Sequence, residues 1–229
     1  MQSFTTAGMA AARDAIGAEL VALATRHDLV TYQVLGHLIR LQSLSALNSF
    51  ALADSHAVAA DRLGERHELP LVRVFTSWYR AVRLAAAGSP ASEDAYRAAA
   101  ALLDGAGMPG VEHGLLPLAL LCLRLARDLP SDVDLTDDWG PYRPWVVPFA
   151  LLQEDRLVEA RVELRALPEP PPDLLYSALC CLEAAAAVQL SDQVVLQRTH
   201  ARLLPAAGEL AGSGVVTVGP VDRWLSLTR

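Results

Sequence analysis

Six histidines, three cysteines and 26 carboxylates are the side chains of this sequence that could hold a metal ion, attack a carbon centre or move a proton. Their spacing serves none of these chemistries. His27, His37, His56, His67, His113 and His200 include no ligand pair at three- to five-residue spacing, and no Cys-x-x-Cys supplies thiolates. His67-Glu68 lacks the second histidine of a zinc-protease motif. Cys180 and Cys181 would point about 100° apart on a helix, which suits buried packing better than redox chemistry. Gly105/Gly107 and Gly212/Gly214 neither follow a strand nor precede Gly-Lys-Ser/Thr, so there is no phosphate loop. No Gly-x-Ser-x-Gly elbow is present. Glu93 and Asp94 fall in a first helical turn, where the helix dipole accounts for them. The reading is of a protein that is not an enzyme, with no catalytic, cofactor or metal residue assigned.

Recognition is the chemistry that remains. From Leu129 to Pro148 the helical rhythm breaks, and Asp132, Asp134, Asp137 and Asp138 precede Trp139-Gly140-Pro141-Tyr142-Arg143-Pro144-Trp145. Aromatic rings with polar tips are favoured at binding surfaces, which makes Trp139, Tyr142, Arg143 and Trp145 candidate partner contacts. The same rings could instead plug a gap between helix pairs, with the acids as a solvated loop. Tyr79, Arg80 and Arg83, beside a core-type Trp78, form a second candidate set. Their arginines suit a groove for an acidic peptide, or simply the surface.

These residues must be positioned by helices. Helical patterns recur at about 6–27, 29–44, 48–68, 70–88, 89–102, 111–127, 144–153, 156–166, 174–190 and 192–210, about ten in all. In the first, Ala12, Ile16, Glu19, Leu20 and Leu23 form a mostly apolar stripe. In the third, Leu52, Ala59, Ala60 and Leu63 share one face. Pro70 and Ser89-Pro90 read as helix starts, Gly88 as a stop, and Pro168–Pro172 as a rigid connector with Asp173 capping the next helix. Pro70 and Pro109 lie 39 positions apart, each between helix pairs, a length that fits helical-repeat arrays. The expected fold is all-α, a tetratricopeptide-like helical-hairpin array or α-solenoid forming one domain over 1–229. It divides into helix pairs over 28–128, an acidic and aromatic connector over 129–148, further helices over 149–213 and a capping segment over 214–229. Within the last, 214–218 reads as extended and Gly219–Leu225 as a docked cap.

Composition bounds the partners. A net charge of −7, with all 19 basic residues arginine and no run of them, argues against direct binding to nucleic acid. The longest apolar run, Gly114–Leu123, is too short to span a membrane. No secretory signal is recognisable and three cysteines imply no disulfide framework, so the expected compartment is the cytoplasm. Met1 followed by a helical pattern is the expectation for an intact short chain.

Three stretches carry a family resemblance. They are Leu69-Pro70 through Trp78, Arg80-Ala81, Gly88, Ala95-Tyr96-Arg97 and Gly107–Leu115; then Trp139–Trp145; then Leu203-Leu204-Pro205 with Gly214 and Gly219-Pro220-Val221. From about residue 28 onward the chain resembles the C-terminal tetratricopeptide-like helical region of actinobacterial transcriptional regulators. These are the large ATP-binding LuxR-type regulators and those carrying a bacterial transcriptional activator domain. The resemblance implies a sensor or interaction module linked to transcriptional regulation. The DNA-binding and ATPase parts of such regulators have no counterpart here. The expected function is therefore a non-catalytic protein-interaction or regulatory module, binding another protein or peptide on the concave face of the array. The alternative is a small-molecule sensor with its ligand between helix pairs near Trp139–Trp145, and self-association stays open.

Overall fold

A computed structural model describes residues 7–103, 105–107, 112–212 and 214–228. Among them the chain forms eleven α-helices and no strand. They are α1 (Ala10–Arg26), α2 (Val30–Ala46), α3 (Phe50–Arg66), α4 (Leu71–Ala86), α5 (Ser92–Ala100), α6 (Leu115–Ala126), α7 (Arg143–Gln153), α8 (Leu157–Arg165), α9 (Tyr176–Leu190), α10 (Gln193–Leu203) and α11 (Val221–Leu227). Neighbours pack as helical pairs: α1 on α2, α2 on α3, α4 on α5, α7 on α8 and α9 on α10. Residues 1–6, with Met1 and the start of the earliest expected helix at about Thr6, and the segment Met108–Val111 with Pro109 lie outside the described residues.

One turn recurs. Asp28, Asn48, Glu68, Gly88, Asp128, Asp155 and Ser191 each follow a helix with φ between 50° and 68°. The next N–H in each case reaches back to a carbonyl five residues earlier, as in Leu29 to Ala24, Ser49 to Leu44 and Leu69 to Gly64, at 2.8 Å. This left-handed ending satisfies carbonyls that a helix end leaves unpaired and lets the next helix begin at once. Asp28, Asn48, Glu68 and Gly88 stand 20 residues apart, so α1 to α4 share one period.

Tight turns bring helices close together, and α1 and α3 meet their neighbours with small residues. The buried side of α1 is Ala10, Gly17 and Ala24, and that of α3 is Ala53, Ala57, Ala60 and Gly64. The larger residues of the predicted stripes look outward: Ile16 and Leu23 are exposed, as is Leu52 at 56%. A Cβ built on Gly36 of α2 would come within 3.0 Å of the Val21 nitrogen and 3.1 Å of the Gly17 carbonyl oxygen, so α1 and α2 touch backbone to backbone.

The second half is organised around α9, which contacts α6, α7, α8, α10 and α11. Ala178–Ala187 are all buried, as suits a helix apolar around its circumference. Its one buried acid, Glu183, receives Arg198 and Arg202 from α10. Asp192 then caps α10 through the Val195 N–H and holds Arg165 of α8 at 2.7 Å. The predicted helix over 192–210 stops at Leu203, where Pro205 lies in a 3-10 turn. The expected connector over 129–148 is irregular only to Trp139, and Arg143–Pro148 already belong to α7.

The terminal segment returns to the beginning. Gly8 lies against Pro205, the Ala10 N–H donates to Glu209, and the Leu210 N–H donates to the Ala46 carbonyl at 2.7 Å. Residues 214–218 are irregular, with Val216 and Val218 buried, and Gly219–Leu225 run into α11, which buries Val221, Trp224 and Leu225.

Two substitutions test these contacts, and both run against helix propensity. Glu68→Gly, which removes the Cβ from a left-handed position, is expected to raise stability by about 1 kcal/mol in urea unfolding. Gly36→Ala is expected to lower it by about 1–2 kcal/mol through overpacking, although alanine is the better helix former by about 1 kcal/mol. Opposite signs would mean that neither the turn nor the close crossing is as drawn.

Candidate functional site

The segment 129–139 is held on several sides. Gln153 accepts from the Val133 N–H at 2.6 Å and donates to the Val133 carbonyl at 3.0 Å. Arg124 donates to the Pro130 carbonyl and the Trp139 indole to the Asp134 carbonyl, both at 2.7 Å. Asp134 folds back on Thr136, whose N–H and hydroxyl hold its carboxyl below the usual carboxylate range. The acidic loop is thus a fixed wall.

The aromatic candidates stand behind this wall. Trp139, Tyr142 and Trp145 retain 4%, 7% and 4% exposure and belong to the main apolar core. A partner cannot grip rings it cannot reach, so their burial favours the plug over the contact. Arg143 is exposed, with one guanidinium nitrogen on the Leu135 carbonyl at 2.8 Å. The second set stands on α4. Tyr79 is buried and its hydroxyl donates to Asp54. Arg80 pairs with Asp61, and Arg83 lies 4.7 Å over the Phe50 ring with Asp54 at 3.7 Å. These three tie α4 to α3, and the cleft of about 730 Å³ beside them carries Asp61, Glu65 and Glu68 together with Arg73 and Arg80. It sets three carboxylates against two arginines.

A second depression joins the outer face of α6 to this wall. Two adjoining hollows, about 700 Å³ and 260 Å³, share Arg97, Pro117, Leu120 and Asp137. Half-buried Leu116, Pro117 and Leu120 make an apolar floor. Along the sides stand five carboxylates (Glu93, Glu112, Asp132, Asp137 and Asp138) against three arginines (Arg97, Arg124 and Arg127). The arginines are committed: Arg97 to Glu93 at 2.8 Å, Arg124 to Asp132 at 3.4 Å, and Arg127 to the Ser89 carbonyl and Ser92 hydroxyl at 2.7 Å. At the rim His113 meets Asp138 at 2.6 Å. That hydrogen bond, and then the carboxylate's charge, raise the His113 pKa, while the same bond and the Gly140 N–H lower that of Asp138. The floor was hard to see in the sequence, since α6 is apolar on every side and nothing marks which residues stay uncovered.

Two other groupings complete the inventory. His37 of α2 and His56 of α3 meet Nδ1 to Nδ1 at 2.8 Å, a pairing hidden in sequence because 19 positions separate them. Burial, then the Arg40 charge, lowers both, His56 to about 4, so the pair is neutral at neutral pH. Among the described residues no group of three metal-ligating side chains joins them. Cys122, Cys180 and Cys181 are buried, and burial raises each thiol, Cys180 to about 12. Protonated thiols without access are poor nucleophiles.

No family model matches the chain, and neither does any curated protein or solved structure.

The groove rim has a titration signature. By histidine NMR, His113 is expected to titrate above 6.5, because the Asp138 carboxylate favours its cationic form. Asp138→Asn should return it toward that ordinary value. An unshifted His113 in the native chain would remove the pair from the rim.

Proposed function

We propose that this chain is a non-catalytic protein-interaction module whose binding surface is the groove along α5, α6 and the 129–139 loop, and whose partner offers a basic segment with apolar anchors. The observation that carries this is an apolar floor walled by carboxylates that outnumber the arginines. Complementary charge steers encounter and selects partners, while apolar contact on the floor supplies most of the affinity. The wall is pinned by Gln153, Arg124 and Arg143, so little ordering is spent on binding.

The resemblance supplies the setting: a regulatory module acting in transcriptional control in an actinobacterium, working on another protein in the cytoplasm. No described helix is long and apolar enough to cross a membrane. Direct nucleic-acid contact fits poorly with a net charge of −7 and an acidic groove.

Two synthetic peptides of equal length test the reading, both with leucines at i and i+4, one filled out with arginine and the other with glutamate. Fluorescence anisotropy is expected to show micromolar, salt-sensitive binding of the basic peptide and none of the acidic one. Asp132→Asn with Asp137→Asn should weaken the basic peptide about tenfold, as should Leu120→Gln. Arg80→Gln, outside the groove, should leave it unchanged. Failure of the basic peptide to bind, or equal binding of both, would overturn the assignment.

A further inference from the structure

The partner sought by the α6 groove is a basic segment with apolar anchors, and α10 of this same chain has that composition. Gln193–Leu203 contains Arg198, His200 and Arg202 and no carboxylate. Its inward residues, Val195, Leu196, Thr199 and Leu203, are buried. The outward stripe runs Val194, Gln197, Ala201 and Leu204, spaced by three or four positions and exposed throughout, Val194 at 65% and Leu204 at 56%. Exposed apolar residues alone say little about a partner. The charge beside them says more.

Arg198 and Arg202 lie toward α9, where each gives one nitrogen to the wholly buried Glu183. A guanidinium has five N–H donors, so both keep donors for a second carboxylate. At the start of the helix Arg161 and Arg165 of α8 gather on Asp192, which is also wholly buried. Four arginines thus stand over two carboxylates, the inverse of the groove, where five carboxylates stand against three arginines. Helix α4 is rich in arginine too, yet its Arg80 and Arg83 face Asp61 and Asp54, acids that α3 leaves partly open. Among the large apolar residues of α4 only Leu71 is exposed, so it lacks the paired anchors of α10.

We infer that the groove takes α10 of a second copy of this chain, with Val194, Ala201 and Leu204 on the apolar floor and Arg198 and Arg202 toward Asp132 and Asp137. This rests on the reading of the groove as a docking surface for a basic segment. Groove and helix are different surfaces of one chain, so the contact is heterologous. Each copy offers its helix to one neighbour and its groove to another, and association runs head to tail until a ring closes or a filament grows. A single helix of 11 residues covers a small area, so the dissociation constant is on the order of tens of micromolar.

Sedimentation velocity of the full chain, over concentrations that bracket that constant, tests the inference. The mean sedimentation coefficient is expected to rise with concentration, and high salt should reverse the rise. Val194→Glu with Ala201→Glu blocks the helix, and Asp132→Asn with Asp137→Asn blocks the groove. Each variant alone should associate about tenfold more weakly or less than that. Mixed one to one, they should form a dimer and nothing larger, because the intact groove of one takes the intact helix of the other. Should either variant lose its fold, Gln197→Glu replaces the first and Leu120→Gln the second. A chain that stays monomeric while the basic peptide still binds its groove overturns the self-docking and leaves the groove reading in place. Association that either variant leaves unchanged, or a mixture that yields no dimer, overturns it as well. Loss of both peptide binding and self-association would remove the two readings together.

Discussion

The left-handed residue at the end of each helix is the constraint from which the architecture follows. Once the N–H after Asp28, Asn48, Glu68 or Gly88 has bonded back to the final helical turn, the chain has reversed and three to five residues separate one helix from the next. Connections that short leave no slack, so consecutive helices lie antiparallel and close. Closeness in turn dictates side-chain size at the contact. Ala10, Gly17, Ala24, Ala53, Ala57 and Ala60 are buried there, and at Gly17 even a Cβ would press on the Gly36 carbonyl oxygen at 3.2 Å. Onto the alanines of α3 pack larger side chains of its neighbours, Val34, Leu38, Leu41 and Leu44 of α2 and Val72 and Tyr79 of α4, so a small face on one helix is filled by a large one on the next.

That logic explains which parts of the fold were legible in the sequence. Helices were, because proline and glycine punctuation and apolar periodicity survive without any tertiary knowledge; α7, α8 and α9 begin within two residues of their predicted starts. Faces were not. Ile16, Leu23 and Leu52 attract attention as the large apolar residues of their stripes, yet the alanines and glycines beside them make the contacts. The 20-residue period was equally hidden. Its markers are Asp, Asn, Glu and Gly, and only Gly88 is the residue type usually found at a helix end. For the candidate site, the sequence pointed to residues 129–145 but could not separate buried rings from exposed carboxylates. Burial is a property of what the loop packs against, and Gln153, Val133 and Arg143 come together only in three dimensions.

The arginine-only basic complement acquires a structural meaning. Among the described residues eleven arginines hold carboxylates, several of them deep in the second half. Glu183 is wholly buried and needs a donor at each oxygen, which Arg198 and Arg202 provide. A planar guanidinium, always charged and less tightly hydrated than an ammonium, suits such partly dry pairings better than lysine. Removing one partner from a buried pair of this kind costs about 3–5 kcal/mol. Positive charge committed to such pairs is less available to a partner, and along the α6 groove the carboxylates outnumber the arginines.

Finally, the contact of Glu209 and Leu210 with Ala10 and Ala46 changes how the array behaves mechanically. An open stack of helical pairs is a spring whose pitch responds to whatever it grips. With residues 8–10 held against 205–210 and Leu210 bonded to Ala46, the two ends of this one are joined, and stretching any part of it loads that junction. Elastic adaptation to a partner is thereby exchanged for fixed curvature, and the junction becomes the place where strain introduced anywhere around the circumference is felt.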